Sequence, residues 1–417
     1  MIYDLIVVGA GAAGLFAGAS APSKLKGLIL EKSESPGKKL LMSGSGQCNL
    51  THSGEIKNFV AHYGDNGSRI RSILYRFGNK SVMDFFTSRG VPLFFREDGK
   101  VFPVSLRARD VLDALLSSCS ANGITILYSH AVTEIVFKPD AAGPFFSVMC
   151  GNESYITRKL VIASGGRSYP ATGSDGSVFP ALEKMGIHIK PQKPALVPLL
   201  VNEYPYKDLS GIAFSGAGIT LRSADREKKQ IIAKNVDDLL LTHNCFSGPV
   251  ILNSSRYASA GDLLSIDYIP SRHADEIMKD LKALASGNKK QFLTVVSEYL
   301  NDESKSTEAV LPKRFLEKTC SRCGIDPALK ISQLPLPAMK AFVSLLKQDT
   351  YSISGTLGYN IAMVTSGGIG LDEVDIRTLQ SKKYPGLFFA GEALDVDGDT
   401  GGYNLQFAFS SGNLVAT

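Results

Sequence analysis

Short, wholly apolar runs bounded by glycine and small residues mark the two ends of the chain, and a different rhythm fills the middle. Leu5-Ile6-Val7-Val8 has no polar position, the pattern of a parallel strand buried on both faces. Gly9-Ala10-Gly11-Ala12-Ala13-Gly14 follows, and the small, apolar stretch Ala12 to Ser20 predicts a helix stopped by Pro22. A second apolar run, Leu28-Ile29-Leu30, ends in Glu31. Leu160-Val161-Ile162 leads into Ala163-Ser164-Gly165-Gly166, and Leu387-Phe388-Phe389 leads into Ala390-Gly391-Glu392. Gly401-Gly402-Tyr403-Asn404-Leu405-Gln406 then opens a helix predicted to run through Ser411. Between these parts, Ala195 to Val201, Gly218 to Leu221, Gln230 to Ala233 and Leu263 to Ile269 are short strand-like runs separated by turn residues. From about Ser271 the period becomes helical. Ile277, Met278, Leu281, Leu284 and Ala285 mark one face, and Phe292, Val295, Val296, Tyr299 and Leu300 another, with Asn301 to Thr307 a polar loop.

This pattern predicts an α/β protein with a Rossmann-like dinucleotide-binding domain split by an insert. Residues 1–193 and 347–417 form the nucleotide-binding domain, 194–270 and 330–346 a β-barrel, and 271–329 a helical subdomain.

The first thirty residues carry the sharpest chemistry. Gly9 permits a tight turn, Gly11 lets the backbone approach a pyrophosphate, and Gly14 lets the helix pack close to the sheet. The start of the helix offers unpaired N–H groups and a positive dipole end to the phosphates. Glu31 stands 22 residues after Gly9, near the spacing of about 20 at which an acid meets the adenosine ribose. A carboxylate there favours a free 2′-hydroxyl, hence FAD or NAD. The late strand and helix decide for FAD. In two-dinucleotide flavoproteins a late strand carries an acid, here Glu392, to the ribityl chain, and the next helix points its start at the flavin pyrimidine. Ala163-Ser164-Gly165 gives the small residues needed where chain and cofactor pass closely, and Val132, within Ala131 to Val136, brings a backbone group to adenine.

Composition changes this picture little. Hydrophobic residues make up 44% and charged residues 20% of the 417, ordinary for a globular protein. A formal charge of +5 is mild, and the basic residues are scattered in short clusters such as Arg226 to Lys229. No aromatic-interleaved basic strip stands out along the chain, which argues against nucleic acid as a partner. Six unevenly spaced cysteines point to a reducing compartment. Cys320-Ser-Arg-Cys323 lacks a second pair of ligands, so no metal site is expected. No apolar run reaches the roughly 18 residues of a membrane span, and Asp4 stands where a signal peptide would carry a base, so a cytoplasmic location is expected. Oligomeric state leaves no trace in the sequence.

Four blocks go further. Lys38 to Thr51 (KKLLMSGSGQCNLT), Gly165 to Ser174 (GGRSYPATGS), Leu241-Thr242-His243 with Ser247-Gly248-Pro249, and Gly391 to Gln406 together resemble the NAD(P)/FAD-dependent oxidoreductase family that includes aminoacetone oxidases and bile-acid-pathway reductases. The resemblance covers nearly the whole chain and implies FAD and a β-barrel insert carrying a helical piece. It departs from the family at Gln47, where an arginine is usual, and at Cys245-Phe246, where glycine is common before Ser-Gly-Pro.

Candidate cofactor contacts are therefore Gly9, Ala10, Gly11, Ala12, Ala13, Gly14, Glu31, Lys32, Lys39, Met42, Ser43, Gly44, Gly46, Cys48, Asn49, Val132, Ala163, Ser164, Gly165, Gly391, Glu392, Gly402, Tyr403, Asn404 and Leu405. The insert is expected to cap the flavin, bringing Thr242, His243 and Ser247 to the substrate pocket. His243 is the candidate proton donor, with Asn49 and Cys48 beside the ring. No second strand–GxGxxG–helix unit follows. Thr365 to Gly370 is glycine-rich without a helix after it, so NADH or NADPH, where used, enters the flavin cleft itself. Three readings stay open: a nicotinamide-driven reductase of a small activated C=C acceptor, which is favoured; an oxygen-using oxidase of a small amine or alcohol; and, from another class, an RNA-modifying flavoprotein or an FAD-stabilised binding protein.

Overall fold

The computed structural model describes residues 2–140, 143–224, 230–302 and 311–416, and divides the chain into two compact units, 1–195 with 358–417, and 196–357. Two expected features, the basic cluster Arg226 to Lys229 and most of the loop Asn301 to Thr307, lie outside the described residues.

In the first unit the apolar runs become neighbours in one seven-stranded sheet. Leu5–Val8 sits centrally between the parallel strands Leu160–Ile162 and Gly27–Leu30. Ile124–Leu127 extends the sheet on one side, and Leu387–Phe389 pairs with Leu160–Ile162 on the other, so the sheet is completed from the far end of the chain. Every side chain of Leu5–Val8 is buried, as a strand covered on both faces requires. Helix Ala12–Ser20 lies against the C-terminal helix Tyr403–Ala416, and the approach is close enough that a Cβ on Gly412 would sit 2.5 Å from the Ala13 carbonyl oxygen. The long C-terminal helix runs five residues past the expected Ser411 because Leu414, Val415 and Ala416 remain buried. A four-stranded sheet (Ile2–Tyr3, Glu153–Thr157, Phe145–Cys150, Glu134–Lys138) and a three-stranded one (Thr51–His52, Lys100–Pro103, Leu93–Phe95) complete this unit. Thr365 to Gly370 forms no phosphate loop: Val364–Ile369 is a strand paired antiparallel with Ile189–Ala195.

The second unit is a closed six-stranded barrel with five α-helices among the described residues, Pro249–Ser254, Ala274–Ala285, Phe292–Leu300, Lys313–Arg322 and Leu336–Lys347. Its strands follow the order Leu199–Val201, Phe246–Ser247, Ile231–Leu241, Ala213–Arg222, Leu263–Asp267 and Asp349–Thr356. Two boundaries differ from the sequence-based ones. Residues 336–346 are helix rather than barrel, and Asp349–Thr356, assigned above to the nucleotide-binding domain, is the strand that closes the barrel. The reason is visible in that strand. Asp349, Tyr351 and Ile353 alternate inward, and the Asp349 carboxylate is buried on Arg322 (2.9 and 3.0 Å) and the hydroxyls of Tyr206, Tyr268 and Tyr351. A buried acid paired this fully reads as polar in sequence yet belongs to the interior.

Candidate cofactor and active site

Three loops of the first unit gather the predicted cofactor residues. The glycine loop is the simplest. Gly9 has φ +101°, and a Cβ there would lie 2.7 Å from the Ala163 carbonyl oxygen. A Cβ on Gly14 would overlap the Gly9 carbonyl. Gly11, in contrast, has nothing within 4 Å of its absent Cβ, and it stands at the start of the helix with no side-chain cap. Two of the three glycines are bare so that the chain can pack. The third is bare toward open space, as the approach of a pyrophosphate requires.

Glu31 is buried at the end of the second strand. Its Oε2 accepts from the Ala10 N–H at 2.7 Å and its Oε1 from the Ser33 N–H at 2.8 Å. Each oxygen keeps a lone pair for a ribose hydroxyl. Lys32 Nζ pairs with Asp175 at 2.6 Å and reaches Ser177, tying the Gly165–Ser177 region to this strand end.

Glu392, the acid expected to meet the ribityl chain, is engaged by several protein groups. Lys39 Nζ lies 2.6 Å from Glu392 Oε2 and also donates to Ser168 Oγ. Glu392 Oε1 accepts from Ser168 Oγ (2.7 Å) and from the Thr365 N–H (2.8 Å). Thr365 Oγ1 in turn accepts from the Arg167 and Ser168 N–H groups. Glu392 is thus mainly an anchor between three distant segments, with one lone pair left on Oε2. Gly166 must be bare because Thr365 and Glu392 pass directly over it, and Gly391 because Ala13 does.

The loop Ser43 to Asn49 holds Gly44, Ser45, Gly46 and Cys48 at positive φ. For Ser45 and Cys48 that conformation costs about 1 kcal/mol or more each, and such strain gathers at functional loops. The Cys48 N–H to Ser43 carbonyl bond (2.9 Å) and the Ser43 Oγ to Leu40 carbonyl bond (2.7 Å) hold it. Cys48 is fully buried, and burial pushes its thiol up to about 12 against the opposing bond from Ser43. It packs as a small apolar side chain and is no thiolate at neutral pH. Asn49 carries a buried Oδ1 with no partner among the described residues, an acceptor available to a bound ring. Gln47 accepts from Arg96 NH2 at 2.7 Å, and that guanidinium lies 4.1 Å from the centre of the Phe102 ring. A guanidinium therefore reaches this loop from another segment.

The start of the C-terminal helix presses on Thr51: a Cβ on Gly402 would lie 2.6 Å from the Thr51 carbonyl oxygen. The Asn404 amide is spent on Gly398, accepting its N–H and donating to its carbonyl, both at 2.8 Å. Asn404 shapes the loop. Tyr403 is buried between two imidazoles, His62 at 4.0 Å and His52 at 5.7 Å between ring centres, both nearly parallel to it. Burial and Asp399 raise its phenol to about 12. The two histidines are not equivalent. His52 uses both nitrogens, Nδ1 accepting from the Gly54 N–H and Nε2 facing the Asp98 carbonyl. His62 Nδ1 meets Asp399 Oδ2 at 3.1 Å, and Nε2 has no partner among the described residues. With its side chain 37% exposed, His62 is a histidine oriented by a carboxylate and open to a reactant. Nothing in the sequence marks it, because Asp399 lies 337 residues away.

His243, the sequence-based candidate, lies in the second unit, exposed on the turn after Ile231–Leu241, without a hydrogen bond among the described residues. Thr242 turns its hydroxyl back onto the Cys245 carbonyl at 2.7 Å. Cys320 and Cys323 are free thiols at a helix end, and no group of three or more metal-type side chains occurs among the described residues. No described helix is long and apolar enough to cross a membrane.

The bare Gly11, the free lone pairs of Glu31 and the unpartnered Asn49 Oδ1 fit FAD. A family model described as the HI0933-like protein Rossmann domain matches residues 3–417. The ribosomal RNA dihydrouridine synthase of Escherichia coli K12 is 30% identical over 411 residues, 98% of this chain and 96% of that protein. The protein of the same name from Haemophilus influenzae is 29% identical over 413 residues, 99% and 97% of the two chains. The 3-dehydro-bile acid delta(4,6)-reductase of Clostridium scindens is 28% identical over 419 residues, 98% and 97%.

Proposed function

The chain belongs to the HI0933-like family of FAD-binding Rossmann oxidoreductases, and from that premise we propose that it is a reductase adding hydride and proton across a C=C bond conjugated to a carbonyl. The observation that carries this reading is the His62–Asp399 pair at the start of the C-terminal helix. FAD, when bound and reduced, would supply two electrons as a hydride. The residues of this chain do the rest. Gly9 to Gly14 and Glu31 hold the dinucleotide, and the Lys39–Glu392–Ser168–Thr365 knot fixes the loops around it. His62 gives its Nε2 proton to the carbon next to the one that takes hydride, Asp399 steadies the imidazolium, and solvent returns the proton. The names of the relatives support the class. Dihydrouridine is uridine with two hydrogens added across the ring C=C, and a delta(4,6)-reductase acts on double bonds in line with a ketone. A uracil in ribosomal RNA is the acceptor we favour, on the two synthases. A free, steroid-like enone is the second reading, on the third relative. NADH or NADPH is the proposed donor, entering the flavin cleft itself.

Anaerobic titration of the yellow protein with NADH and NADPH tests this. Bleaching of the flavin, followed by its return on adding uridine-containing ribosomal RNA, is the expected course. No bleaching by either nicotinamide, with normal bleaching by dithionite, would turn the protein into an oxidase or a dehydrogenase fed by its own substrate. His62→Gln should slow the return step by roughly 10²- to 10⁴-fold and leave the bleaching rate unchanged.

A further inference from the structure

We propose that the exposed face of helix Gly67–Arg76 is a landing surface for single-stranded RNA. It deepens the RNA reading given above, and rests on it for the choice of polyanion. Along the sequence Arg71, Tyr75, Arg76 and Lys80 are interspersed with apolar and small residues and show no strip. On a helix the period of 3.6 sorts them. Ile70, Ile73 and Leu74 turn into the core, and Ser68, Arg71, Ser72, Tyr75 and Arg76 are left exposed on one face. Lys80, exposed at the start of the next helix, extends the face. The segment from Asn66 to Met83 holds four basic residues and no acidic one, in a chain whose whole excess is only +5.

Two other helices neutralise bases locally. Arg107 pairs with Asp110 and Arg109 with Asp113 on Ala108–Ala121, and Lys313 faces Glu317 on Lys313–Arg322. On Gly67–Arg76, among the described residues, only Arg69 has a carboxylate, the exposed Asp372 at 2.6 Å. Arg71, Arg76 and Lys80 make no ion pair among the described residues. Arg71 instead holds its guanidinium over Tyr75, 5.1 Å from the ring centre, and Tyr75 is 47% exposed. Spaced cations that track phosphates, with a flat aromatic–guanidinium pair between them for a base to stack on, are the chemistry of single-strand binding. His62 lies in the turn that leads directly into this helix, so a strand bound there approaches the proposed proton donor.

The test is fluorescence anisotropy of a labelled oligouridylate of about 12 nucleotides on the full-length, FAD-loaded protein across a salt series. Arg71→Glu with Arg76→Glu should weaken binding at least tenfold at low salt and make the slope of log K against log salt shallower by about 1.4, two single-strand phosphate contacts. Tyr75→Leu should cost roughly five- to hundredfold with the slope unchanged. Lys279→Glu with Lys282→Glu, an equal charge change on an exposed helix of the second unit, should leave affinity within twofold. The surface is overturned if the wild type fails to bind the oligonucleotide, if the double reversal binds as the wild type does, or if the control loses as much. Flavin bleaching by nicotinamide, which none of these exposed residues serves, reports separately on the reductase reading.

Discussion

Leu5–Glu31 and Leu387–Gln406 are built from the same ingredients, an apolar strand, glycines, a carboxylate and a helix start, yet the two regions use them for different work. In the first, Gly11 is bare toward open space and Glu31 meets only two backbone N–H groups, so glycine and acid both keep a side for a ligand. In the second, Gly391 and Gly402 are bare because Ala13 and Thr51 press on them, and Glu392 is engaged by Lys39, Ser168 and Thr365. Even the Asn404 amide turns back onto its own loop. Pattern says where glycine and acid stand. What lies opposite says what they are for.

The largest expected effect breaks the equivalence of glycines within the first region. Gly14→Ala drives a methyl into the Gly9 carbonyl and should destabilise the protein by upwards of about 3 kcal/mol, with loss of FAD. Gly11→Ala meets no protein atom, so the melting temperature of the apoprotein should hold while FAD affinity by calorimetry falls. Equal losses of stability would remove the distinction. Glu31→Ala comes next. It takes the ribose contact and orphans two backbone donors, weakening FAD retention by about 1–3 kcal/mol, and unchanged affinity would sink the assignment. For Glu392 a double-mutant cycle with Lys39→Met and Glu392→Gln should give a coupling of about 1 kcal/mol in stability, the sign of an anchor. A cycle with no coupling, with FAD affinity alone responding, would restore Glu392 to the ligand. The smallest effect concerns thiols. Burial raises Cys48, Cys119 and Cys320 to about 12 from near 9, so all three stay neutral in the folded chain while the unfolded chain ionises. The stability this represents is complete below pH 9 and is lost as pH rises from 9 toward 12. Native protein should resist iodoacetamide at pH 8, and rapid alkylation of Cys48 would revive a redox role.

Legibility in the sequence follows the same division. Gly9, Gly11, Gly14 and Glu31 declare themselves because the strand, turn, helix and acid that define them are contiguous. The β-barrel was legible as a rhythm of short strands, but its closing strand was not. Asp349–Thr356 hides an inward alternation behind a buried acid whose partners Tyr206, Tyr268 and Arg322 come from elsewhere. His62 had no signal at all, since its orienting carboxylate and its stacking partner Tyr403 arrive from the end of the chain. The guanidinium missing at Gln47 is restored by Arg96, which no local pattern foretells. Arg71, Tyr75 and Arg76 look scattered until the helical period puts them on one face.

One ladder of the first unit has a consequence for how such chains diversify. Ile189–Ala195 and Val364–Ile369 pair with each other, Ala195 facing Val364, so the chain leaves this unit and rejoins it within a single two-stranded seam. A seam of that kind works as a socket. Whatever is spliced between Ala195 and Gly358 needs only two neighbouring ends, and Gly9 to Gly14 and Glu31, which lie outside the seam, need not change. Lineages, or protein engineers, can exchange the inserted module without disturbing the pairing that receives it.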